Sequence, residues 1–373
     1  MMALPVSPDN AVHGRTLWVT DGIRQAAMST YRARPVYASS TERPGMRFRY
    51  RRAVTDSLEI VMRVLVTGLG DIAHKAYLPI LSALPELDVH LATRDPQVLR
   101  DAGRAFRMPH LHANIEQALA TATFDAAFVH TATSAHPASV QLLLEQRIPT
   151  FVDKPLADTL ARAQELVALA ERQATLLMVG FNRRFAPDYA ALRDTGTSLI
   201  LMEKHRHKQP DTPRRVVFDD FIHVIDTLLF LAPSPVQRLT IETHVEHGLL
   251  KSVTLMLAGE GYTAIGTMHR DSGLDEERLD VIGNGVRQSV RNIAETIRSA
   301  GTECRRRRGD WTAVGRQRGF EAMCADFLLA VRERRPTSAT DILQTHALCE
   351  AVTAHADAQL RDLNVPPSDI PHG

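Results

Sequence analysis

At 373 residues the chain is long enough for two domains, each with its own core. A formal net charge of +1 gives no global field toward nucleic acid or a membrane surface, and no apolar run approaches the ~20 residues that a spanning helix needs. The three cysteines, Cys304, Cys324 and Cys349, have no paired spacing, as expected of reduced thiols in a cytoplasmic protein.

Residues 1–61 are rich in Arg, Ser and Pro and keep neither a helical nor a strand period. They read as a poorly ordered extension with short local elements at Leu17 to Val19 and Ile23 to Met28. Because Met62 stands immediately before the first strand, the segment reads as an upstream over-reading of the start site, or else as an Arg-rich transit-type leader.

The organising stretch follows. Arg63 to Val66 is a short β-branched and Leu run, and Tyr77, Leu78, Ile80, Leu81 and Leu84 have helical spacing, so strand, turn and helix meet at Gly68. Gly68-Leu69-Gly70-Asp71-Ile72-Ala73 is a G-x-G-x-x-A fingerprint. Its first glycine permits the turn, its second lets a pyrophosphate approach the backbone, and its alanine lets helix pack close to strand. The phosphates are then expected on the open N–H groups of the helix start.

Strand and helix alternate from here, which predicts a doubly wound parallel sheet. The second strand, Asp88 to Thr93, ends in Thr93-Arg94 where NAD-selective folds carry an acid for the ribose hydroxyls. A hydroxyl and a guanidinium both bond a 2′-phosphate, so NADP is favoured over NAD, although Asp95 restores an acid on a one-residue shift. The strand Ala126 to Thr131 opens into the hydroxyl-rich segment from Thr131 to His136, at a crevice-facing sheet edge, with Ser134 read as a helix cap. Pro149 to Val152 leads into Asp153-Lys154-Pro155, whose lysine, at a strand's carboxyl end, is the best single candidate for chemistry. After a helix from Thr159 to Gln173, the strand Thr175 to Val179 runs into Gly180-Phe181-Asn182-Arg183-Arg184-Phe185, where one arginine is expected to meet an anion or substrate.

Beyond this point strands at Ser198 to Lys204, Gln237 to His244, Leu250 to Leu257, Thr263 to His269 and Leu279 to Ile282 predict an open, mostly antiparallel sheet. One helix interrupts them, from Asp219 to Leu229. Asp219 and His223 lie four apart on it, a spacing at which a carboxylate fixes an imidazole's tautomer and raises its proton affinity for acid/base work. No third or fourth ligand accompanies them, so no metal is expected. Arg291 to Arg318 is very basic and reads as a solvated loop rather than a nucleic-acid surface. Amphipathic helices from Phe320 to Arg332 and Thr340 to Leu360 close the second domain or pack back on the first.

With these four motifs in order, the chain from Met62 to about Leu363 resembles the glucose–fructose oxidoreductase, inositol dehydrogenase and rhizopine-catabolism (Gfo/Idh/MocA) family, in particular its bacterial virulence-factor branch. The resemblance implies an α/β chain: an N-terminal Rossmann domain over 62–181 and a C-terminal α/β domain with an open sheet over 182–363, followed by a tail over 364–373. It implies hydride transfer between a nicotinamide and a sugar or polyol carbon, the family's lysine falling on Lys154 and its Asp-x-x-x-His pair on Asp219 and His223. Asp153 replaces the family's usual Glu, and Phe221 replaces a common Gly, a change expected to narrow the pocket.

The expected cofactor contacts are Gly68, Leu69, Gly70, Asp71, Ile72, Ala73, Thr93, Arg94, Thr131, His136, Asp153, Lys154 and Arg184, with Lys154, His223 and Asp219 as the chemical groups. The expected activity is that of an NADP-preferring or NAD-dependent oxidoreductase acting on CH–OH groups of a sugar-like or polyol substrate, in a homodimer or homotetramer. Lys154 and His223 are both open as the acid/base. The rival readings are an NAD-dependent glycosidase working through transient oxidation, and a nucleotide-binding sensor without turnover.

Overall fold

The computed structural model describes residues 17–18, 61–193 and 195–363. The rest of the N-terminal extension, including the element expected at Ile23 to Met28, and the tail from 364 lie outside the described residues. Leu17–Trp18 forms a two-residue strand, β1.

Six parallel strands make the first sheet: β2 (Met62–Thr67), β3 (Leu87–Ala92), β4 (His110–His112), β5 (Ala126–Val129), β6 (Thr150–Asp153) and β7 (Leu177–Gly180). Their order is β4-β3-β2-β5-β6-β7. It reverses between β2 and β5, and at such a reversal the loops leave in opposite directions and open a crevice at the strands' carboxyl ends. Helices cover both faces, so the central strands are apolar on both sides: Val64, Leu65 and Val66 of β2 and Ala126 to Val129 of β5 are fully buried.

Three of the helices between these strands start on side-chain caps. Asp95 accepts from the amides of Gln97 at 2.8 Å and Val98 at 3.2 Å to open the helix Pro96–Phe106. Asn114 and Thr159 do the same for Ile115–Thr121 and Leu160–Arg172. Ser134 does not cap: a 3-10 turn over Thr133–Ala135 precedes the helix His136–Glu145, so the cap position falls on Ala135 and Ser134 stands exposed one residue before it.

The second sheet has nine strands in the order β1-β9-β10-β11-β8-β12-β13-β14-β15. They are β8 (Leu199–His205), β9 (Arg238–Glu246), β10 (Leu249–Gly259), β11 (Tyr262–His269), β12 (Glu276–Gly283), β13 (Val286–Arg291), β14 (Glu295–Ala300) and β15 (Thr302–Arg307), with β1 at the edge. Only the β8–β11 pair is parallel. The helix Ile222–Leu231 lies across this sheet; a Cβ on Gly266 of β11 would stand 2.4 Å from Val224 Cγ1, so glycine sets the close approach.

The basic stretch from Arg291 is not a continuous solvated loop as expected of it, since Glu295–Ala300 and Thr302–Arg307 within it form β14 and β15. Every residue of β15 is exposed, so no apolar alternation marks it, and its arginines are held instead by Glu295, Glu303 and Asp188. The two C-terminal helices divide the work left open above. Phe320–Glu333 returns to the first sheet, with Phe327 edge-on to Phe128 at 5.0 Å, while Ala339–Leu363 packs on Leu160–Arg172 and on the second sheet. Among the described residues no helix is long and apolar enough to cross a membrane.

Candidate active site

The crevice between β2 and β5 begins at Gly68. Its φ is +82°, and a Cβ there would stand 2.2 Å from the Thr131 amide nitrogen, so the turn after β2 touches the loop after β5 and only glycine fits. Gly70 is different: a Cβ on it would meet nothing within 4 Å, so open space lies over the helix start. A helical turn runs from Asp71 through a π-turn at Ala73–Tyr77 into Leu78–Leu81. Leu69 and Ala73 are buried, Ile72 is exposed at the lip, and Asp71 pairs with Lys75 at 2.8 Å. The hydroxyl of Thr131 is buried with no partner among the described residues. An open cradle over a helix start, beside an orphaned hydroxyl, fits a dinucleotide phosphate and its neighbours.

Other residues of the first domain shape the crevice. Thr93 and exposed Arg94 follow β3, and the neighbouring acid is committed, because the Asp95 carboxylate caps its helix. The ring nitrogens of buried His136 lie 2.7 Å from the Pro155 carbonyl and 2.8 Å from the Thr131 carbonyl, tying the two loops together. Asp153 accepts from the Tyr77 hydroxyl at 3.0 Å, and the Tyr77 ring stacks on buried His130 at 3.8 Å. Burial, and then the nearby His136, lowers the His130 pKa to about 3, so that ring is neutral.

Lys154 crosses between the domains. Its ammonium donates to the main-chain carbonyl of Asp219 at 2.5 Å, and the Asp219 carboxylate accepts from Thr133 Oγ1 at 3.2 Å. A π-turn over Val217–Phe221 widens the helix at this point. The four-residue spacing therefore does not align Asp219 with His223, and no hydrogen bond joins them among the described residues; the expected carboxylate–imidazole pair is replaced by Asp219–Thr133. The proton affinity of His223 also moves opposite to expectation. Burial first, then the charges of Arg183, Lys154, Lys204 and Arg206, hold its pKa well below the ordinary imidazole value. The half-buried His223 ring has no hydrogen-bond partner among the described residues, which leaves both nitrogens available.

The arginine pair splits. Arg184 forks onto Asp226 at 2.7 Å and reaches Asp341 at 3.0 Å, so it fastens the helix Ile222–Leu231 to the last helix and is committed away from the crevice. Arg183 is buried and bidentate to Glu277 at 2.6 and 2.8 Å. Glu277 also takes Tyr189 and Lys204, and Asp220 takes Lys204, Arg206 and Arg270. Only Arg183 of these had been singled out in the sequence. The one signal for Lys204 is its place in the inward row Ile200, Met202, Lys204 of β8. Phe221 is fully buried in the core, so its ring is used for packing and does not stand in the pocket. Asp88, His90 and His110 bring ligand atoms within 4.8 Å of one another on β3 and β4, a cluster whose residues are dispersed in the sequence; Arg63 holds Asp88 at 3.0 Å and His112 holds His90 at 2.9 Å.

Residues 62–181 match the model of the oxidoreductase family with an NAD-binding Rossmann fold, and residues 187–300 match the YceM-like C-terminal domain. The protein YceM of Salmonella typhimurium is 34% identical over 283 residues, covering 73% of this chain and 90% of YceM. The chain belongs to the Gfo/Idh/MocA oxidoreductase family. A crystal structure of a Gfo/Idh/MocA family oxidoreductase from Vibrio cholerae superposes with a TM-score of 0.76 at 31% identity, covering 80% of this chain and 99% of that one. Myo-inositol dehydrogenase Hyg17 of Streptomyces leeuwenhoekii is 49% identical over 69 residues, 18% of this chain and 21% of Hyg17. Within this family the Rossmann half binds NAD-type cofactors, which agrees with the open space over Gly70.

Proposed function

We propose that this family member is an NADP-preferring oxidoreductase that moves a hydride between nicotinamide and a hydroxyl/carbonyl carbon of a sugar-like or polyol substrate. The observation that carries the reading is the Lys154–Asp219 contact, which brings an ammonium from the first domain to the helix that bears His223. Amides from Leu69 to Ala73 would hold the pyrophosphate, Thr93 and Arg94 the 2′-phosphate, and the Thr131 hydroxyl the nicotinamide end. Asp95 turns Oδ1 to the amides of its own helix, which leaves Thr93 and Arg94 as the groups offered to a 2′-phosphate. Bound there, nicotinamide supplies the hydride acceptor or donor.

His223 is the base in the oxidative direction. Its pKa is held low enough to keep it neutral, and with no partner among the described residues it is able to take the hydroxyl proton. Lys154 keeps donors beyond the one given to Asp219 and directs one at the same substrate oxygen, where it stabilises developing negative charge. Asp219 positions Lys154 through its carbonyl, and Thr133 steadies the Asp219 side chain.

Fluorescence titration with NADPH and NADH, followed by a panel of polyols and keto-sugars read by nicotinamide absorbance, tests the reading. Tighter NADPH binding and turnover of at least one member are expected. Binding of neither nucleotide would end the reading, and release of an aglycone without net change in nicotinamide absorbance would replace it with glycosidase chemistry.

A further inference from the structure

The wall beside His223 carries surplus positive charge. Arg183 and Lys204 reach Glu277 at 2.6 and 3.2 Å, and Lys204 also lies 3.3 Å from Asp220. Asp220 is shared with Arg206 at 2.7 Å and Arg270 at 2.6 Å. Four cations therefore meet two carboxylates. Among the surrounding charges, Lys154 stands against the Asp219 carbonyl, and Arg215 lies 3.3 Å from Asp211 and 3.8 Å from the Asp219 carboxylate. Exposed Asp275, which accepts from the His207 amide, also acts on Arg206, so that with it three carboxylates face the four cations and a surplus remains.

Lys204, Arg183 and Arg270 are buried, and uncompensated charge in a partly desolvated site is unfavourable until a counter-ion arrives. Donors remain to receive one. Arg206 uses Nε and one terminal nitrogen on Asp220, and Arg270 uses Nε on the Gln209 carbonyl and Nη1 on Asp220. The other terminal nitrogen of each has no partner among the described residues. Asp220, which holds Lys204, Arg206 and Arg270, stands three residues before His223 where the π-turn runs into the helix, so this charge lies beside the proposed reacting oxygen. The positive charge of Arg183, Lys204 and Arg206 lowers the proton affinity of the imidazole. A neutral polyol would leave the surplus unanswered.

We propose that the substrate is an anionic sugar derivative, a sugar acid or sugar phosphate, whose anionic group sits on Arg206 with Lys204 and Arg270 behind it while a hydroxyl faces His223. This narrows the substrate class of the oxidoreductase reading and rests on it. It also assigns Arg206 as the specificity-determining residue, because it is the most exposed of the four, at 24%.

The test is calorimetric titration of the full chain, with NADPH present, using D-gluconate, D-galacturonate and D-glucose 6-phosphate against myo-inositol and D-glucose. At least one anion is expected to bind about ten-fold or more tighter than the neutral sugars and to weaken as salt rises. Carboxylate and phosphate arms identify the group. Arg206→Gln should abolish the preference, and Arg206→Lys should restore part of it. Should the Gln variant fail to fold, the Lys variant and the salt dependence of the wild type carry the test. Equal affinity for charged and neutral sugars, or a preference unchanged in Arg206→Gln, overturns the proposal. Turnover of neutral polyols without anion binding overturns it and leaves the oxidoreductase reading standing. Failure to bind either NADPH or NADH removes that reading instead, and the anion titration, which needs no turnover, still decides the charge preference.

Discussion

The Lys154 ammonium donates to the Asp219 carbonyl at 2.5 Å, so a loop of the six-stranded sheet is fastened to the helix that lies across the nine-stranded one. The contact is made by main chain, and the identity of the Asp219 side chain is free to serve Thr133. The groups proposed for the chemistry are thus joined through a helix backbone, which is stiffer than a side-chain pair.

Lys154→Met keeps the length of the side chain and removes its charge. Loss of one donor to a developing oxyanion lowers a rate by about 10²–10³-fold. We expect that loss in single-turnover hydride transfer, with NADPH affinity little changed in a fluorescence titration.

The pH profile follows from the depressed pKa of His223. A base must be unprotonated, so the acid limb of kcat/KM in the oxidative direction should fall well below the ordinary imidazole value of 6.5. Arg206→Gln removes one of the cations that depress it, and the limb should move toward higher pH. Kinetics across pH 5 to 8, with cofactor and substrate in the appropriate range, read both.

Nucleotide preference should turn on Arg94. Arg94→Glu replaces a phosphate partner with a charge that repels it, and a charge-assisted bond is worth about 1.5–3 kcal/mol. The ratio of NADPH to NADH affinity should fall by about ten-fold or more in titration, while thermal stability is unchanged because Arg94 is exposed.

The two glycines of the fingerprint should fail differently. Gly68→Ala places a Cβ 2.2 Å from the Thr131 amide at φ +82°, so it lowers Tm and disturbs the crevice. Gly70→Ala meets only open space and should fold normally, yet weaken NADPH binding because its methyl would occupy the position proposed for the phosphate. Calorimetric melting with nucleotide titration separates them.

Glu277 anchors Arg183, Lys204 and Tyr189 in the buried network. Those neighbouring cations hold its pKa far below the ordinary 4.5, against the opposing effect of burial. Its contribution to stability is therefore complete above pH 4.5 and is lost as pH falls toward the folded-state value. Glu277→Gln leaves charges unpaired and should destabilise the fold by about 3–5 kcal/mol in urea melts at neutral pH, with a smaller difference in acid.

Much of the fold was readable because parallel strands buried on both faces are continuous apolar runs, as in Val64 to Val66, and because glycine and proline punctuate them. β4 has three residues and β15 no buried one, so neither carries a period to detect. Lys154 and His223 stand in motifs, and Gly68 is marked by its turn. The Asp219 side chain was misread because helical spacing assumes 3.6 residues per turn and the π-turn at Val217–Phe221 breaks that register. The cation network was hidden for another reason: Arg183, Lys204, Arg206, Asp220, Arg270 and Glu277 are dispersed along the chain and meet only after the sheet forms.

The central claim is that Lys154 and His223 act on one substrate oxygen. Single-turnover hydride transfer should be measured for wild type, Lys154→Met, His223→Asn and the double variant, with a substrate found in the panel. Groups that serve one reacting atom are non-additive, so the double variant is predicted to lose little more than the slower single one. Losses that multiply, or full activity in either single variant, would contradict the account.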